Sequence, residues 1–131
     1  MGHESIAGDL ESCLKEKKVE FLTSTELVVV GDFVFPGEFC AYQGHFPGQP
    51  ILPAIVQLAA ARFLAEATLK ISLFPVQLSK VKFKGMVQPD DKIKVYISLT
   101  KENLFWQGKF ELQKNSGQLL TSGSITLKVS T

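Results

Sequence analysis

The stretch that decides the fold is Gly44-His45-Phe46-Pro47-Gly48-Gln49-Pro50-Ile51-Leu52-Pro53, which leads directly into an apolar segment. Its three prolines fix the backbone φ angle and restrict the residues before them, and its two glycines permit tight turns. The segment after Pro53 contains no helix breaker, so it predicts a helix over residues 54–70 with Pro53 at its first turn. His45 is then expected beside the unpaired N–H groups at the helix start. A proton acceptor next to such donors suits carbonyl chemistry.

The same residues resemble a known family, the bacterial 3-hydroxyacyl-acyl carrier protein dehydratases of the hotdog fold. That family carries the motif Gly-His-Phe-Pro-Gly-x-Pro-Ile-x-Pro-Gly-Val, and Gly44 to Ile55 follows it with Ala54 at the last glycine. The family's catalytic Glu or Asp lies fourteen residues after the histidine, where this chain has Ala59. The chain is in this respect similar to aryl-polyene-type variants. The resemblance therefore implies the fold, and an active site without its usual acid.

The resemblance also implies a role for each matching residue. His45 would be the catalytic base, since histidine is the side chain whose ordinary pKa lies near neutral pH. Backbone N–H groups at Ala54 and Ile55 would polarise a thioester carbonyl. Tyr42 would line an acyl pocket, or would simply be a core aromatic. The substrate-binding residues implied by the motif are Gly44, Phe46, Pro53, Ala54, Ile55, Tyr42 and Ala59.

Length and composition restrict the class of protein. A chain of 131 residues with 45% hydrophobic residues and ten phenylalanines suits one domain with a real core. The resemblance implies that residues 1–131 form this domain as a single hotdog domain. A formal net charge of +1 gives no reason to expect nucleic-acid binding. The longest apolar run, Ile51 to Leu64, is too short and too interrupted to span a membrane.

Compartment and cofactors follow from what the sequence lacks. The first twenty residues have no apolar core of a signal peptide, so a cytoplasmic location is expected. The two cysteines, Cys13 and Cys40, show no metal-binding spacing and are expected as reduced thiols. No metal or redox cofactor is expected. The substrate would instead arrive as a thioester of acyl carrier protein or of coenzyme A.

Hydrophobic periodicity predicts the remaining elements. Residues 4–17 favour an amphipathic helix, which would make residues 1–17 an N-terminal helical extension. Residues 19–35 predict two strands or one bent strand, with a possible bulge at Gly31-Asp32. The other predicted strands are 77–87, 92–100, 104–113 and 118–129, with a turn at Asn115-Ser116-Gly117. This order predicts an α+β domain, a curved antiparallel sheet around one central helix.

Charged residues on these elements allow further expectations. Arg62 and Glu66 lie one helical turn apart and are expected to form an ion pair on the side that bears Ala59. Glu66 would lie about 10 Å further along the axis than Ala59, so it does not replace the missing acid. Lys80, Lys82 and Lys84 are expected on one face of their strand. That face either docks an acidic carrier protein or is simply solvated.

Two kinds of function fit these residues. The first is dehydration of 3-hydroxyacyl thioesters in fatty-acid or polyene-type biosynthesis, with His45 as the base. The alternative is a non-catalytic acyl-thioester binding subunit that partners an active dehydratase, which Ala59 favours. An acyl thioesterase is a third possibility, although such enzymes of this fold usually carry a helix carboxylate. A homodimer or higher oligomer is expected, formed by pairing of edge strands, and the sequence leaves a mixed dimer open as the alternative.

Overall fold

The computed structural model describes residues 9–37 and 52–130, which form a sheet and one long helix. The elements are β1 (Leu14–Phe21), β2 (Glu26–Val34), the central helix (Ala54–Leu69), β3 (Leu73–Phe83), β4 (Lys92–Glu102), β5 (Phe105–Lys114) and β6 (Leu119–Val129). The strands form an antiparallel sheet in the order β1-β2-β4-β5-β6-β3. The predicted α+β architecture is therefore confirmed.

The inner face of the sheet and the helix form the core. On β4, Ile93, Val95, Ile97 and Leu99 are buried while the residues between them are partly exposed, as their alternation predicts. The central helix lies on this face against β2, β3 and β4. Its buried side is mostly alanine and branched aliphatic residues, which lets the helix approach the strands closely. No helix in the described part of the chain is long and apolar enough to cross a bilayer.

The central helix begins and ends close to the predicted residues. Pro53 occupies the N-cap, and its carbonyl accepts the first helical bonds from the N–H groups of Val56 (3.1 Å) and Gln57 (3.2 Å). Lys70 adopts the left-handed conformation at the C-cap, where its N–H bonds to the carbonyl of Glu66. The proline ring fixes the backbone φ angle of this capping residue, which is −59°. The prediction of a helix after Pro53 is confirmed.

Gly31 serves helix packing and does not form a bulge. β2 pairs regularly with β4 through Gly31 and Asp32, and the irregularity lies in β1 between Leu14 and Glu16. A Cβ atom on Gly31 would lie 2.9 Å from the Leu64 Cδ1 atom of the helix. The predicted bulge at Gly31-Asp32 is therefore wrong, and a Cβ atom on residue 31 would crowd the side chains of Leu64, Phe33 and Leu14.

The helix predicted over residues 4–17 extends too far toward the C-terminus. Residues 9–13 are helical, but β1 begins at Leu14, inside the predicted helix of residues 4–17. Pairing with β2 outweighs the local helical pattern, because backbone bonds to a neighbouring strand override weak propensities. The charged residues that suggested a helix surface lie instead on an exposed edge strand, which they suit equally well.

β3 begins earlier than its pattern predicts. It spans Leu73–Phe83 and not residues 77–87, so Pro75 lies inside the strand. An edge strand tolerates proline because one side of it makes no ladder bonds. By contrast, β4, β5 and β6 match their predicted ranges within two residues, and Gly117 (φ 98°) forms the predicted turn between the last two.

Candidate functional site

The start of the central helix presents unpaired backbone donors. The N–H groups of Ala54 and Ile55 have no acceptor among the described residues, while the next two bond to Pro53. Ala54 is exposed, and the Ile55 side chain is 76% exposed. Free N–H groups at a helix N-terminus carry partial positive charge and attract an oxygen that gains negative charge. The helix start therefore offers two N–H groups that no described residue accepts from, and their carbonyl-binding role stays a prediction.

Leu52, the residue before the N-cap, is held at both of its peptide groups. Its N–H donates to the carbonyl of Val87 at 2.9 Å. Its carbonyl accepts a 3.1 Å bond from the Gln57 side-chain amide, whose oxygen in turn accepts a 2.6 Å bond from the Thr121 hydroxyl. The helix start is therefore tied to the sheet at a defined place. Sequence reasoning does not identify Gln57 or Thr121 as functional. A single amide in an apolar first helical turn is a signal for Gln57, whereas no local signal points to Thr121.

The predicted site residues divide between described and undescribed parts of the chain. Pro53, Ala54 and Ile55 lie together at the helix start, and Ala59 lies one turn further on the same side as Ile55. Ala59 is half-buried, which leaves its face partly open. The four remaining predicted residues lie outside the described residues. They are Tyr42, Gly44, His45 and Phe46.

Glu66 is the first carboxylate along the helix, and it is already engaged. Its Oε1 lies 3.8 Å from the Arg62 Nε atom, so the predicted ion pair is confirmed. Its Oε2 accepts a 2.8 Å bond from the Leu73 N–H, and Arg62 donates at 2.8 Å to the Leu73 carbonyl. The pair therefore holds the first residue of β3 through both backbone groups. This structural role leaves Ala59 without a nearby carboxylate on the same helix.

The three lysines of β3 do not form the expected row. A register irregularity between Ser79 and Lys82, with Lys80 at a φ of 54°, interrupts the alternation, and Lys84 follows the end of the strand. The first two lysines contribute instead to a shallow groove of about 500 Å³ on the outer face of the sheet. Other groove residues are Ser98, Lys109, Ser122 and Ser124. The groove lies on the face of the sheet opposite to the central helix.

Two further features bear on chemistry. Cys13 is buried and free, and burial raises the pKa of its thiol, which keeps it protonated and unreactive near neutral pH. Cys40 lies outside the described residues. Within ranges 9–37 and 52–130, no three acidic, cysteine or histidine side chains are grouped so that they could hold a metal ion.

An antiparallel six-stranded sheet in this order, packed on one central helix, defines the hotdog fold. The structure of an uncharacterised protein from Erwinia carotovora subsp. atroseptica shares this fold with a TM-score of 0.73 and 19% identity, covering 88% of this chain and 94% of that one. The dehydratase heterocomplex ApeI:P from Xenorhabdus doucetiae aligns with a TM-score of 0.66 and 22% identity, over 85% and 94% of the two chains. The implied fold is confirmed.

The family is identified by sequence. Residues 22–124 match the ApeI-like family, described as ApeI dehydratase, and the chain belongs to that family. It is 30% identical over 93 residues to 3-hydroxyacyl-[acyl-carrier-protein] dehydratase FabZ of Oenococcus oeni, covering 66% of each protein. It is 36% identical to the FabZ of Clostridium beijerinckii over 46% of this chain and 47% of that protein. The chain thus spans between about half and two thirds of these relatives.

Glu66 is expected to matter for stability and not for chemistry. Glu66→Ala removes the acceptor of the Leu73 N–H and should lower the free energy of unfolding by about 1 kcal/mol. Glu66→Gln keeps an acceptor oxygen at the same place and should lose less than half as much. Urea unfolding of both variants measures the difference. An equal loss in the two variants would contradict the assigned bond, and loss of thioester turnover in a folded Glu66→Gln would make Glu66 catalytic.

Proposed function

We propose that this chain is a dehydratase-like protein that acts on 3-hydroxyacyl thioesters carried by acyl carrier protein. The observation that carries the proposal is the helix start directly after the motif that contains His45, where the amides of Ala54 and Ile55 find no acceptor among the described residues. Membership of the ApeI-like family and the similarity to FabZ proteins support the same reaction class. Coenzyme A thioesters carry the same reacting group and are the second substrate to test.

The proposed reaction is removal of water across the α and β carbons. His45 takes the α-proton, and the electron pair of the broken C–H bond moves toward the thioester carbonyl. The amides of Ala54 and Ile55 stabilise the negative charge that develops on the carbonyl oxygen. The C–O bond to the hydroxyl then breaks, the double bond forms between the two carbons, and the hydroxyl takes up a proton and leaves as water.

The departing hydroxyl needs a proton that residue 59 cannot supply. Ala59 stands where the family motif has its acid, and Glu66 is bonded to Leu73 and Arg62. We propose that water, or a side chain of a partner subunit, provides the proton. Loss of a general acid typically costs about 10²–10⁴-fold in rate, so a slow dehydratase is compatible with this chain.

A second candidate is a non-catalytic acyl-thioester binding subunit that pairs with an active dehydratase. The absence of any carboxylate from Ala54 to Ala65 favours it, and the ApeI:P structure is described as a heterocomplex of dehydratases. The intact residues around His45 favour the enzyme. Thioester hydrolysis ranks last because this helix segment supplies no carboxylate to activate water.

We propose that the chain dimerises through β3 and not through the other edge strand, β1. β1 is rich in lysine and glutamate, which discourage pairing with another strand. β3 exposes apolar side chains along its length, so it is the edge that gains from being covered. These side chains are Phe74, Val76, Leu78 and Phe83.

Matched lysine substitutions test this interface. Leu78→Lys places a charge on the proposed interface and should give a monomer at micromolar concentration in sedimentation experiments. Val19→Lys makes the same change at a partly exposed apolar residue of β1 and should leave the dimer intact. A wild-type monomer would refute the interface, and so would dissociation by Val19→Lys alone.

The role of His45 is tested by removing its imidazole. His45→Ala should lower hydration of 2-enoyl thioesters by at least about 10²-fold, because it removes the base of the motif, while the melting temperature stays unchanged. His3→Ala removes the only other histidine and serves as the control. The assay follows the loss of enoyl absorbance. Unchanged turnover in His45→Ala would exclude it as the base, and no turnover in the wild type would favour the binding subunit.

The role of residue 59 is tested by restoring a carboxylate. Ala59→Glu should raise dehydration by about tenfold or more if the half-buried position faces the substrate. Partial burial would raise the pKa of the new carboxyl, so a fraction of it stays protonated near neutral pH and can donate a proton. The larger side chain is expected to cost about 1–3 kcal/mol of stability where it is crowded, so melting is measured in parallel.

Ala67→Glu is the matched control for this substitution. Ala67 is also half-buried on the central helix, but it lies about 12 Å further along the axis. It should change stability without raising turnover. A folded Ala59→Glu protein with no gain on any thioester tested would mean that residue 59 does not reach the substrate, and the binding-subunit function would then be preferred.

A further inference from the structure

Two polar side chains are buried in the described part of the chain, Gln57 in the central helix and Thr121 in β6. They form a hydrogen bond with each other. Gln57 is 3% exposed and Thr121 is fully buried, while the rest of the buried core in these ranges is apolar. The two residues are 64 positions apart in sequence, and their side chains meet at 2.6 Å. Burying an amide and a hydroxyl among apolar residues is unfavourable unless both are well paired. Their presence therefore calls for a specific role.

The hydrogen bonds fix how the Gln57 amide is oriented. Its oxygen accepts from the Thr121 hydroxyl, and its nitrogen donates to the Leu52 carbonyl at 3.1 Å. The reverse orientation would place two acceptor oxygens against each other at Leu52, which is repulsive. The bonds therefore form a chain that runs from the sheet through Gln57 to the residue before the helix cap. Each member depends on the next to stay paired.

Thr121 gives this chain a rigid anchor. It lies in β6, paired with Leu112 of β5 on one side and with Phe83 of β3 on the other. Leu52, at the far end, is 1% exposed, and its N–H is bonded to Val87. Both peptide groups of Leu52 are thus fixed, one by the backbone and one by Gln57. Pro53 follows immediately, and after it come the two free amides of the helix start.

We infer that Gln57 and Thr121 are positioning residues that hold the carbonyl-binding amides of Ala54 and Ile55 at a fixed place against β6. Neither side chain is exposed to a substrate, so the pair acts through the backbone of Leu52 and not by contact. Catalytic hydrogen-bond donors lose effect when they are displaced by about 1 Å. The catalytic part of this inference rests on the proposed function, whereas the holding of Leu52 does not.

Amide hydrogen exchange measured by NMR tests the holding role without any substrate. Thr121→Val keeps the shape of the side chain but removes the hydroxyl, which leaves the Gln57 oxygen unpaired. Protection of the Leu52, Val56 and Gln57 amides should fall by about tenfold, the equivalent of one lost buried bond. The Ile97 amide in the middle of the sheet should keep its protection, because the opening is local.

Thr126→Val is the matched control. Thr126 also lies in β6 and donates a 2.8 Å bond to the side-chain oxygen of a glutamine, Gln107, but this pair is exposed on the outer face of the sheet. The variant makes the same chemical change in the same strand without touching the helix start. It should leave the exchange of Leu52 unchanged. If both variants change that exchange equally, the effect belongs to β6 in general and the inference fails.

Gln57→Glu adds a pH-dependent readout. Burial raises the pKa of the introduced carboxyl above the ordinary value of about 4.3. Below the raised pKa the protonated carboxyl can donate to the Leu52 carbonyl, and above it the carboxylate repels that oxygen. Protection of the Leu52 amide, corrected for intrinsic exchange, should therefore fall as the pH rises through the raised pKa. The wild type should show no such step.

The catalytic consequence is measured separately. If the positioned amides act mainly in the transition state, Thr121→Val should lower kcat more than it raises KM, whereas Thr126→Val should change neither. Unchanged Leu52 exchange in a folded Thr121→Val, together with a pH-independent Gln57→Glu, would overturn the inference. A chain that turns over no thioester but shows the predicted exchange pattern would refute the proposed function and leave the positioning pair standing.

Discussion

The close packing of the central helix against the inner face of the sheet is the constraint on which the rest of the molecule depends. The helix presents Ala60, Ala61 and Ala65 to the strands, and Gly31 leaves room for Leu64. Small residues on both sides bring the backbones together, so dispersion contacts are dense and any added atom would displace its neighbours. Such a helix cannot easily shift along its axis, and its first turn is fixed with it.

Hydrogen bonds from helix side chains add to the packing and tie the helix to the segments before and after it. At the start, Gln57 bonds to the Leu52 carbonyl, and near the end Arg62 and Glu66 bond to both backbone groups of Leu73. In each case a helix side chain forms hydrogen bonds with the backbone of a neighbouring segment. Leu52 lies just before the helix cap, and Leu73 is the first residue of β3. Buried backbone groups need such partners. The helix therefore organises both the residue before its cap and the start of β3.

The sequence predicts the elements whose signals are local. The helix after Pro53 and the strands β4 to β6 follow from proline chemistry, alternation and the turn at Gly117, all of which act within a few residues. Local periodicity predicts a helix over part of β1 and places β3 too late, because pairing with β2 and β6 decides the limits of these two strands. Pairing of this kind is a property of the fold and leaves little trace in local periodicity.

The candidate site shows the same difference between local signals and contacts over long sequence distances. Pro53, Ala54 and Ile55 could be assigned from the motif, since the motif itself creates the helix start, and the Arg62–Glu66 pair follows from helical spacing. The contact between Gln57 and Thr121 could not be assigned, because it joins residues 64 positions apart. An isolated amide in an apolar helix gives the position of one partner but not the identity of the other.

Residue 59 lies apart from the contacts that hold the helix start. The groups that fix the helix start lie on the buried side of the helix or in the sheet, whereas Ala59 lies on the more open side. None of the bonds that hold Leu52 involves residue 59. Under the proposed function, the alanine would therefore take away a proton donor without disturbing the amides that would receive a carbonyl oxygen. The proposed binding geometry for an acyl thioester would be kept, and the rate would be set by whatever supplies the missing proton.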